Sequence, residues 1–230
     1  MNKSKKITDV KSGKEVISPL DTLVMLPPRV LIACEFSGIV REAFAAQGCD
    51  AWSCDLLPTE KPGQHFQCDV REVLTLGWDL MIAHDPCTYQ CNSGVCWLVD
   101  NPERWQQLDE SCELTKEILD APIDKICREN PIPHKYAVER IGRRYDQIIQ
   151  PYEYGHAERK ATCLWLKGLP KLKPTKNVKE EMERLPKKIA QRIHWASPGE
   201  NRGKIRSVTF EGVAKAMAEQ WIPLLLRRST

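Results

Sequence analysis

The sequence predicts an α/β fold with a mostly parallel sheet and helices on both of its faces. Short apolar runs typical of buried strands alternate along most of the chain with segments of helical spacing, a pattern that favours a parallel sheet. The chain has 230 residues, of which 42% are hydrophobic and 28% charged, enough for one large domain with its own core. No apolar stretch reaches the roughly 18 to 20 residues that span a bilayer. The polar first residues lead into no apolar segment, so we expect a cytoplasmic protein.

The first third of the chain is predicted to contain four strands and one helix. Residues 1–28 lack periodicity and are interpreted as a polar N-terminal arm that precedes a domain over 29–230. Apolar runs predict strands at 29–34, 50–55, 65–69 and 78–83. Helical spacing follows the first strand at 39–47, and Gly48 is the expected C-terminal stop of that helix.

The rest of the chain continues the alternation as far as a basic segment. We expect helices at 102–119, 136–141 and 212–226, and strands at 125–128, 147–150 and 162–166. The segment 171–204 has ten Lys and Arg against four Asp and Glu, a local net charge of +6 in a chain of net +3. Such a segment suits a phosphate-bearing partner, and a solvated lysine-rich loop is the alternative.

Residues that can do chemistry follow two of the predicted strands. Pro86-Cys87 comes just after the 78–83 strand, and Glu129-Asn130 ends the 125–128 strand. Open α/β sheets bind their ligands outside the carboxyl ends of the strands. A thiol and a carboxyl at two such ends suit an enzyme that adds sulfur to a ring while it holds a ring nitrogen. Methyl transfer to C5 of cytosine is therefore the leading hypothesis, with Cys87 as a buried structural cysteine as the alternative.

The turn after the first strand indicates a nucleoside cofactor. Glu35-Phe36-Ser37-Gly38 contains one glycine, whereas a dinucleotide pyrophosphate requires several, so S-adenosylmethionine is favoured over NAD. We expect Asp55 to accept hydrogen bonds from ribose and Asp69 to accept from the adenine amino group. Phe36 would lie against adenine, and Gly38 would allow close approach. A core role for Phe36 and a capping role for the two acids are the alternatives.

These motifs together resemble the DNA cytosine-5 methyltransferase family, particularly the compact members encoded by phages and prophages. The resemblance implies a Rossmann-like S-adenosylmethionine-dependent methyltransferase fold and DNA as the partner. Residues 33–38 are similar to the family's first motif, and Glu35, Phe36, Ser37, Gly38 and Pro86 would then border the methyl donor. Cys87 matches the thiol that attacks C6 of cytosine, and Glu129 matches the carboxyl that engages N3, with Asn130 beside it. Arg159-Lys160 resembles the strand that helps to bind the base, and residues 213–218 resemble the closing helix.

Three features depart from the family pattern. Asp85 precedes Pro86 where a small or apolar residue is usual, and we expect its charge to raise the pKa of Cys87 and restrain it, unless it only caps the turn. Residues 206–209 replace a usual Gly-Asn pair. The basic segment is too short for an ordinary target-recognition domain, so substrate reading should be permissive.

We expect Lys187 and Lys188 in the basic segment to contact phosphates. A free deoxycytidine nucleotide remains open as a substrate.

Two other functions remain open. Residues 85–89 are distantly similar to the Asp-Pro-Pro-Tyr loop of amino-group methyltransferases that act on adenine or cytosine, although that chemistry leaves Cys87 and Glu129 unexplained. A non-catalytic nucleic-acid or cofactor-binding protein with the same fold is the other possibility. The spacing of Cys87, Cys91 and Cys96 differs from that of iron–sulfur loops, so no metal is expected.

Overall fold

A computed structural model describes residues 26–197, 199 and 202–226, which form a seven-stranded sheet with helices against it. The strands are β1 (Arg29–Ala33), β2 (Asp50–Asp55), β3 (His65–Gln67), β4 (Leu80–Ala83), β5 (Ile126–Pro131), β6 (Gln147–Ile149) and β7 (Thr162–Lys167). The helices are α1 (Ile39–Ala45), α2 (Pro102–Asp120), α3 (Lys135–Ile141), α4 (Lys179–Arg184), α5 (Lys187–Ala190), α6 (Arg202–Ser207) and α7 (Glu211–Leu225). Each predicted strand and helix is present, with ends shifted by a few residues.

The strand order is β3-β2-β1-β4-β5-β7-β6. β7 runs antiparallel to its neighbours β5 and β6, whereas the other neighbouring pairs are parallel. The order reverses between β1 and β4, and the crevice outside the carboxyl ends of these strands is the usual ligand site of an open α/β sheet. An antiparallel β7 between β5 and β6 is consistent with the Rossmann-like fold of S-adenosylmethionine-dependent methyltransferases. The predicted fold class is therefore confirmed.

Alternate residues of the central strands face different helices. Val30 and Ile32 of β1 pack with α1 and α7, whereas Leu31 and Ala33 pack with the C-terminal part of α2. A third cluster joins another face of α2, which includes Leu108, Cys112 and Leu119, to α3 and to Trp165 of β7. This alternation follows from the two-residue period of a strand, and it decides which side chains after β4 and β5 share a face.

The fifth strand is longer than its apolar pattern predicts. β5 continues through Glu129 and Asn130 to Pro131, because antiparallel β7 supplies partners there, with Glu129 opposite Leu164 and Asn130 opposite Cys163. β4 pairs with β5 only as far as Arg128, so on that side the last residues of β5 face the chain that follows β4. Glu129 and Asn130 therefore lie within a strand, which fixes their side chains on opposite faces.

The predicted arm and the basic segment are described in part. Residues 1–25 of the arm lie outside the described residues, and 26–28 have no regular structure. The basic segment contains α4, α5 and the start of α6. Its interpretation as an insertion within a domain over 29–230 stays a prediction.

No helix in the part of the chain that the structure covers has both the length and the apolar character needed to cross a membrane.

Candidate active site

Two adjoining cavities open at the carboxyl ends of β1, β4 and β5. The first encloses about 280 Å³ of empty volume and is lined by residues 34–37, His84 and residues 207–209. The second encloses about 260 Å³ and is lined by Glu129, Lys160, Phe210 and five further residues, among them Thr209. Thr209 lines both cavities, so the segment between α6 and α7 forms a wall that they share.

Cys87 lies in a tight turn beyond β4 and is half-buried. Its carbonyl oxygen accepts hydrogen bonds from the backbone N–H groups of Gln90 (3.0 Å) and Cys91 (3.1 Å). A hydrogen bond to the Cys91 thiol and burial raise the pKa of Cys87, the Glu129 charge adds to this, and the Lys160 charge opposes it. Cys87 is therefore close enough to Glu129 and Lys160 for both charges to act on it.

The pKa of the neighbouring thiol, Cys91, shifts in the opposite direction. The hydrogen bond from Cys87 lowers the pKa of Cys91, to about 5, against the effect of burial, and Ser93 and the Arg206 charge lower it further. The two thiols are coupled, so the first proton lost belongs to the pair rather than to one residue.

A buried arginine holds both ends of the Cys87 turn. Arg128 donates to Asp85 from Nε (2.6 Å to Oδ1) and from a terminal nitrogen (2.9 Å to Oδ2). The same terminal nitrogen donates to Oε1 of Gln90 at 2.6 Å. Thr115 of α2 donates to Asp85 at 2.7 Å, and Gln90 donates to Thr115 at 2.9 Å. The turn between Asp85 and Gln90 is thereby fixed to β5 and α2.

The expected restraint of Cys87 by Asp85 is wrong. The Asp85 side chain is about 1% exposed and is paired with the Arg128 guanidinium rather than directed to Cys87. Asp85 is not among the groups with the largest effects on the pKa of Cys87. Asp85 instead belongs to the network that positions the turn.

Glu129 faces His84, a residue for which no function is predicted from the sequence pattern. His84 Nδ1 lies 3.0 Å from Oε2 of Glu129, and both side chains are at most a tenth exposed. The register explains this pair: Ile82 lies opposite Cys127, so two residues further along both strands the side chains return to the same face. His84 lines the first cavity and Glu129 the second, so the pair spans the boundary between them.

The pKa of Glu129 is lowered overall, although burial alone would raise it. The hydrogen bond from His84, the Lys160 and His84 charges and a hydrogen bond from Thr162 outweigh burial and hold the pKa of Glu129 below its ordinary value. Burial lowers the pKa of His84. The hydrogen bond to Glu129 and the charges of Glu129 and Glu35 outweigh burial, so that the pKa of His84 is raised overall. Both shifts favour a charged pair, with the proton on His84 and a carboxylate at Glu129.

Glu35 and Ser37 lie at the first cavity, but their side chains stabilise α1. Glu35 accepts hydrogen bonds from the backbone N–H groups of Val40 (2.7 Å) and Arg41 (3.2 Å) and from the Ser37 hydroxyl (3.2 Å). Ser37 Oγ also accepts from the N–H of Ile39. These are the otherwise unpaired donors of a helix start, so a ligand contact at these two positions would come from their backbone.

Gly38 has a different role from the expected close approach of a cofactor. Its φ of +71° lies in the left-handed region, and a Cβ there would lie 2.7 Å from the Arg41 guanidinium. Arg41 is almost fully buried and donates to Ser53 and Thr59, among others. In this structure Gly38 makes room for Arg41 rather than for the cavity.

Of the two predicted acids, Asp55 is the one with a free oxygen. Its Oδ1 accepts from the Leu57 N–H at 2.9 Å, and its Oδ2 has no hydrogen-bond partner among the described residues. Asp69 caps a short 3-10 helix, accepting from the backbone N–H of Arg71 at 2.9 Å and from its guanidinium at 3.2 Å. Burial chiefly raises the pKa of Cys34, and the charges of Asp55 and Asp69 add to this, so both acids lie near the first cavity.

The other predicted residues are distributed around the site. Pro86 is exposed, and Asn130 donates from Nδ2 to the Asp85 carbonyl oxygen at 3.4 Å, which adds a second support to the turn. Lys160 lines the second cavity. The backbone N–H of Arg159 donates to the Ala190 carbonyl oxygen at 2.7 Å, which joins the irregular segment before β7 to α5. Lys187 and Lys188 are exposed on α5.

Comparisons with known proteins give no family. No family model matches the chain, and no curated protein matches it. A solved E. coli structure described as a DNA modification methyltransferase encoded within a prophage is similar to it at 15% identity and a TM-score of 0.40. The similarity covers 70% of this chain and 56% of that one, so the chain spans little more than half the length of the solved neighbour.

Proposed function

We propose that the protein transfers a methyl group from S-adenosylmethionine to C5 of cytosine in DNA through a Cys87 thiolate adduct. One observation carries the proposal: the Cys87 thiol and the Glu129 carboxyl lie at the same edge of the sheet, at the ends of the paired strands β4 and β5, and the Glu129 charge acts on the thiol. A ring bound in the second cavity, with N3 towards Glu129, would have Cys87 nearby. The pairing of a thiol with a carboxyl is what C5 chemistry requires and what amino-group methylation does not.

The residues divide the chemistry between them. C5 of cytosine is a weak nucleophile, and addition of the Cys87 thiolate to C6 converts the ring to an enamine that is nucleophilic at C5. The electron pair displaced by this addition moves to N3, which is the atom that we assign to Glu129. Lys160 favours the thiolate form of Cys87. Loss of the C5 proton then restores the ring and releases Cys87.

The residues at the first cavity are compatible with a nucleoside-containing methyl donor. The half-buried ring of Phe36 lines it, and the free carboxylate oxygen of Asp55 is suited to ribose hydroxyls. S-adenosylmethionine bound there would supply the methyl group. Both Asp69 oxygens accept hydrogen bonds from Arg71, so Asp69 would contribute less to donor binding than Asp55.

The exposed cations would contact the nucleic acid. Arg159 is exposed and joined by its backbone to α5, which presents Lys187 and Lys188. Contacts from such residues to phosphates position a nucleic acid without reading its sequence. We therefore propose DNA with little sequence context as the substrate.

Replacement of Asp55 by alanine should weaken donor binding tenfold to a hundredfold. The change removes charge-assisted hydrogen bonds to ribose, which are worth about 1.5 to 3 kcal/mol. Asp55→Asn is the matched variant, because its amide oxygen can still accept from the Leu57 N–H while the charge is lost. Calorimetry with S-adenosylmethionine measures both. Unchanged affinity in both variants would place the donor elsewhere.

The function itself is tested by the product. The protein is incubated with methyl-labelled S-adenosylmethionine and, in separate reactions, duplex DNA, single-stranded DNA and deoxycytidine monophosphate, and the nucleosides are identified by mass spectrometry. We expect labelled 5-methylcytosine from DNA. Label only in N4-methylcytosine or N6-methyladenine would contradict the proposal and favour an amino-group methyltransferase.

A further inference from the structure

His84 is the buried titratable group at the site that the proposed chemistry leaves unused. Its side chain is 8% exposed, its Nδ1 lies 3.0 Å from Glu129, and its Nε2 is buried without a hydrogen-bond partner among the described residues. A buried ring nitrogen without a partner is costly, and here it belongs to a residue that lines the first cavity. The structure thus places an imidazole between the donor side of the cleft and the carboxyl assigned to cytosine N3.

We propose that His84 and Glu129 act as one proton-holding pair, in which His84 stores the proton that cytosine N3 takes up when Cys87 adds to C6. This inference rests on the proposed function and names a further participant in it. A lone carboxyl would have to remain protonated to donate to N3. With His84 beside it, Glu129 is ionised at rest, and the proton is stored one hydrogen bond away.

The proton and electron changes balance when Cys91 and solvent are counted with the pair. Before the reaction the pair is an imidazolium and a carboxylate, and the Cys87 thiol gives its proton to the Cys91 thiolate to which it is hydrogen-bonded. Formation of the S–C6 bond displaces the C5–C6 π electrons towards C4 and the C4–N3 π electrons onto N3. The Nδ1–H of His84 passes its proton to the Glu129 carboxylate, and Glu129 passes that proton on to N3, which leaves a neutral imidazole beside a carboxylate. When the C5 proton is lost to solvent and the S–C6 bond breaks, the N3 proton returns to the pair.

The charged groups around the pair support this resting state. Glu129 on β5 and Glu35 after β1 favour the imidazolium, whereas burial and Lys160, before β7, oppose it. Lys160 and Thr162 favour ionised Glu129. Because the pKa of His84 is raised, the stored proton is present at acidic pH and is lost as pH rises through that pKa. Because the pKa of Glu129 is lowered, the carboxylate persists until pH falls below the ordinary Glu range.

The decisive variant is His84→Asn, whose Nδ2 can still donate to Glu129 but cannot store a proton. We expect 5-methylcytosine formation near neutral pH to fall about a hundredfold, the usual size of a general-acid contribution. In the wild type we also expect the rate to decline on the alkaline side, with a midpoint equal to the His84 pKa measured by NMR, and this decline should be absent from His84→Asn. Glu129→Gln should lower the His84 pKa, because burial is then opposed by less negative charge.

These results separate the two proposals. If the wild-type protein forms no 5-methylcytosine, the proposed function is wrong. If the wild type forms it and His84→Asn has an equal rate and the same pH profile, the proton-holding pair is wrong and His84 only orients Glu129. An NMR titration of His84 that Glu129→Gln leaves unchanged would also overturn the pair.

Discussion

Cys87→Ala is expected to abolish methyl transfer to cytosine, with a loss of rate on the order of a thousandfold or more. Without the thiolate, C6 has no nucleophile and C5 is not activated, and removal of a covalent nucleophile has effects of this order in other enzymes. The rate is measured as labelled 5-methylcytosine formed from DNA under single-turnover conditions. Donor affinity should be unchanged, because Cys87 lies outside the set of residues that line the first cavity.

Cys96→Ser is the matched control for this loss. Cys96 is exposed and lies in the neighbouring 3-10 helix Asn92–Leu98, so the change removes a thiol from the same loop without touching the site. We expect it to retain full activity. A Cys87→Ala variant that methylates DNA at the wild-type rate would exclude the adduct and leave amino-group chemistry, for which no thiol is required.

Arg128→Met should lower the free energy of unfolding by about 3 to 5 kcal/mol, the usual cost of breaking a buried ion pair from one side. The Arg128 and Asp85 side chains are at most 1% exposed, so the change leaves an uncompensated carboxylate in the interior. Gln90 Oε1 loses its donor as well. Urea denaturation measures the effect. The Cys87 turn should also lose its fixed position, so we expect slower methyl transfer even under conditions in which the variant is folded.

Two further variants show whether the loss of stability in Arg128→Met comes from the unpaired Asp85 carboxylate. Asp85→Ala combined with Arg128→Met removes both charges, and it should be more stable than Arg128→Met alone. Arg184→Met breaks a pair with Glu180 in which both side chains are at least 80% exposed, and it should change stability by less than about 0.5 kcal/mol. A double variant no more stable than Arg128→Met would mean that the ion pair is not the source of the effect.

The order of elements could be predicted from sequence because each strand has its own short apolar run and each helix its own spacing. The end of β5 could not, since its last three residues are held by β7, a strand more than thirty residues further along the chain. The side on which Asp85 and His84 lie follows from the two-residue period of a strand once the register between β4 and β5 is known. That register depends on tertiary packing, and so Asp85 was wrongly placed against Cys87 and His84 was missed.

The cofactor residues show a second limit of local pattern. A carboxylate after a strand can accept from a ligand or from the N–H groups of the next helix, and the same residue types serve both purposes. Glu35 and Asp69 accept hydrogen bonds from backbone N–H groups in this structure, whereas one carboxylate oxygen of Asp55 has no partner among the described residues. The direction of the Glu129 pKa shift is likewise hidden from the local sequence. Burial alone would raise that pKa, and the neighbours that folding brings to Glu129 lower it.

Covalent trapping on DNA that contains 5-fluorocytosine tests the Cys87 adduct most directly. Fluorine at C5 prevents the elimination that releases the thiol, so the adduct accumulates once the methyl group has been transferred. With S-adenosylmethionine present, we expect a protein–DNA complex that survives denaturation, with the DNA attached to the peptide that contains Cys87, and no such complex with Cys87→Ser. Trapping in equal yield by Cys87→Ser, or none by a preparation that methylates ordinary DNA, would contradict the account.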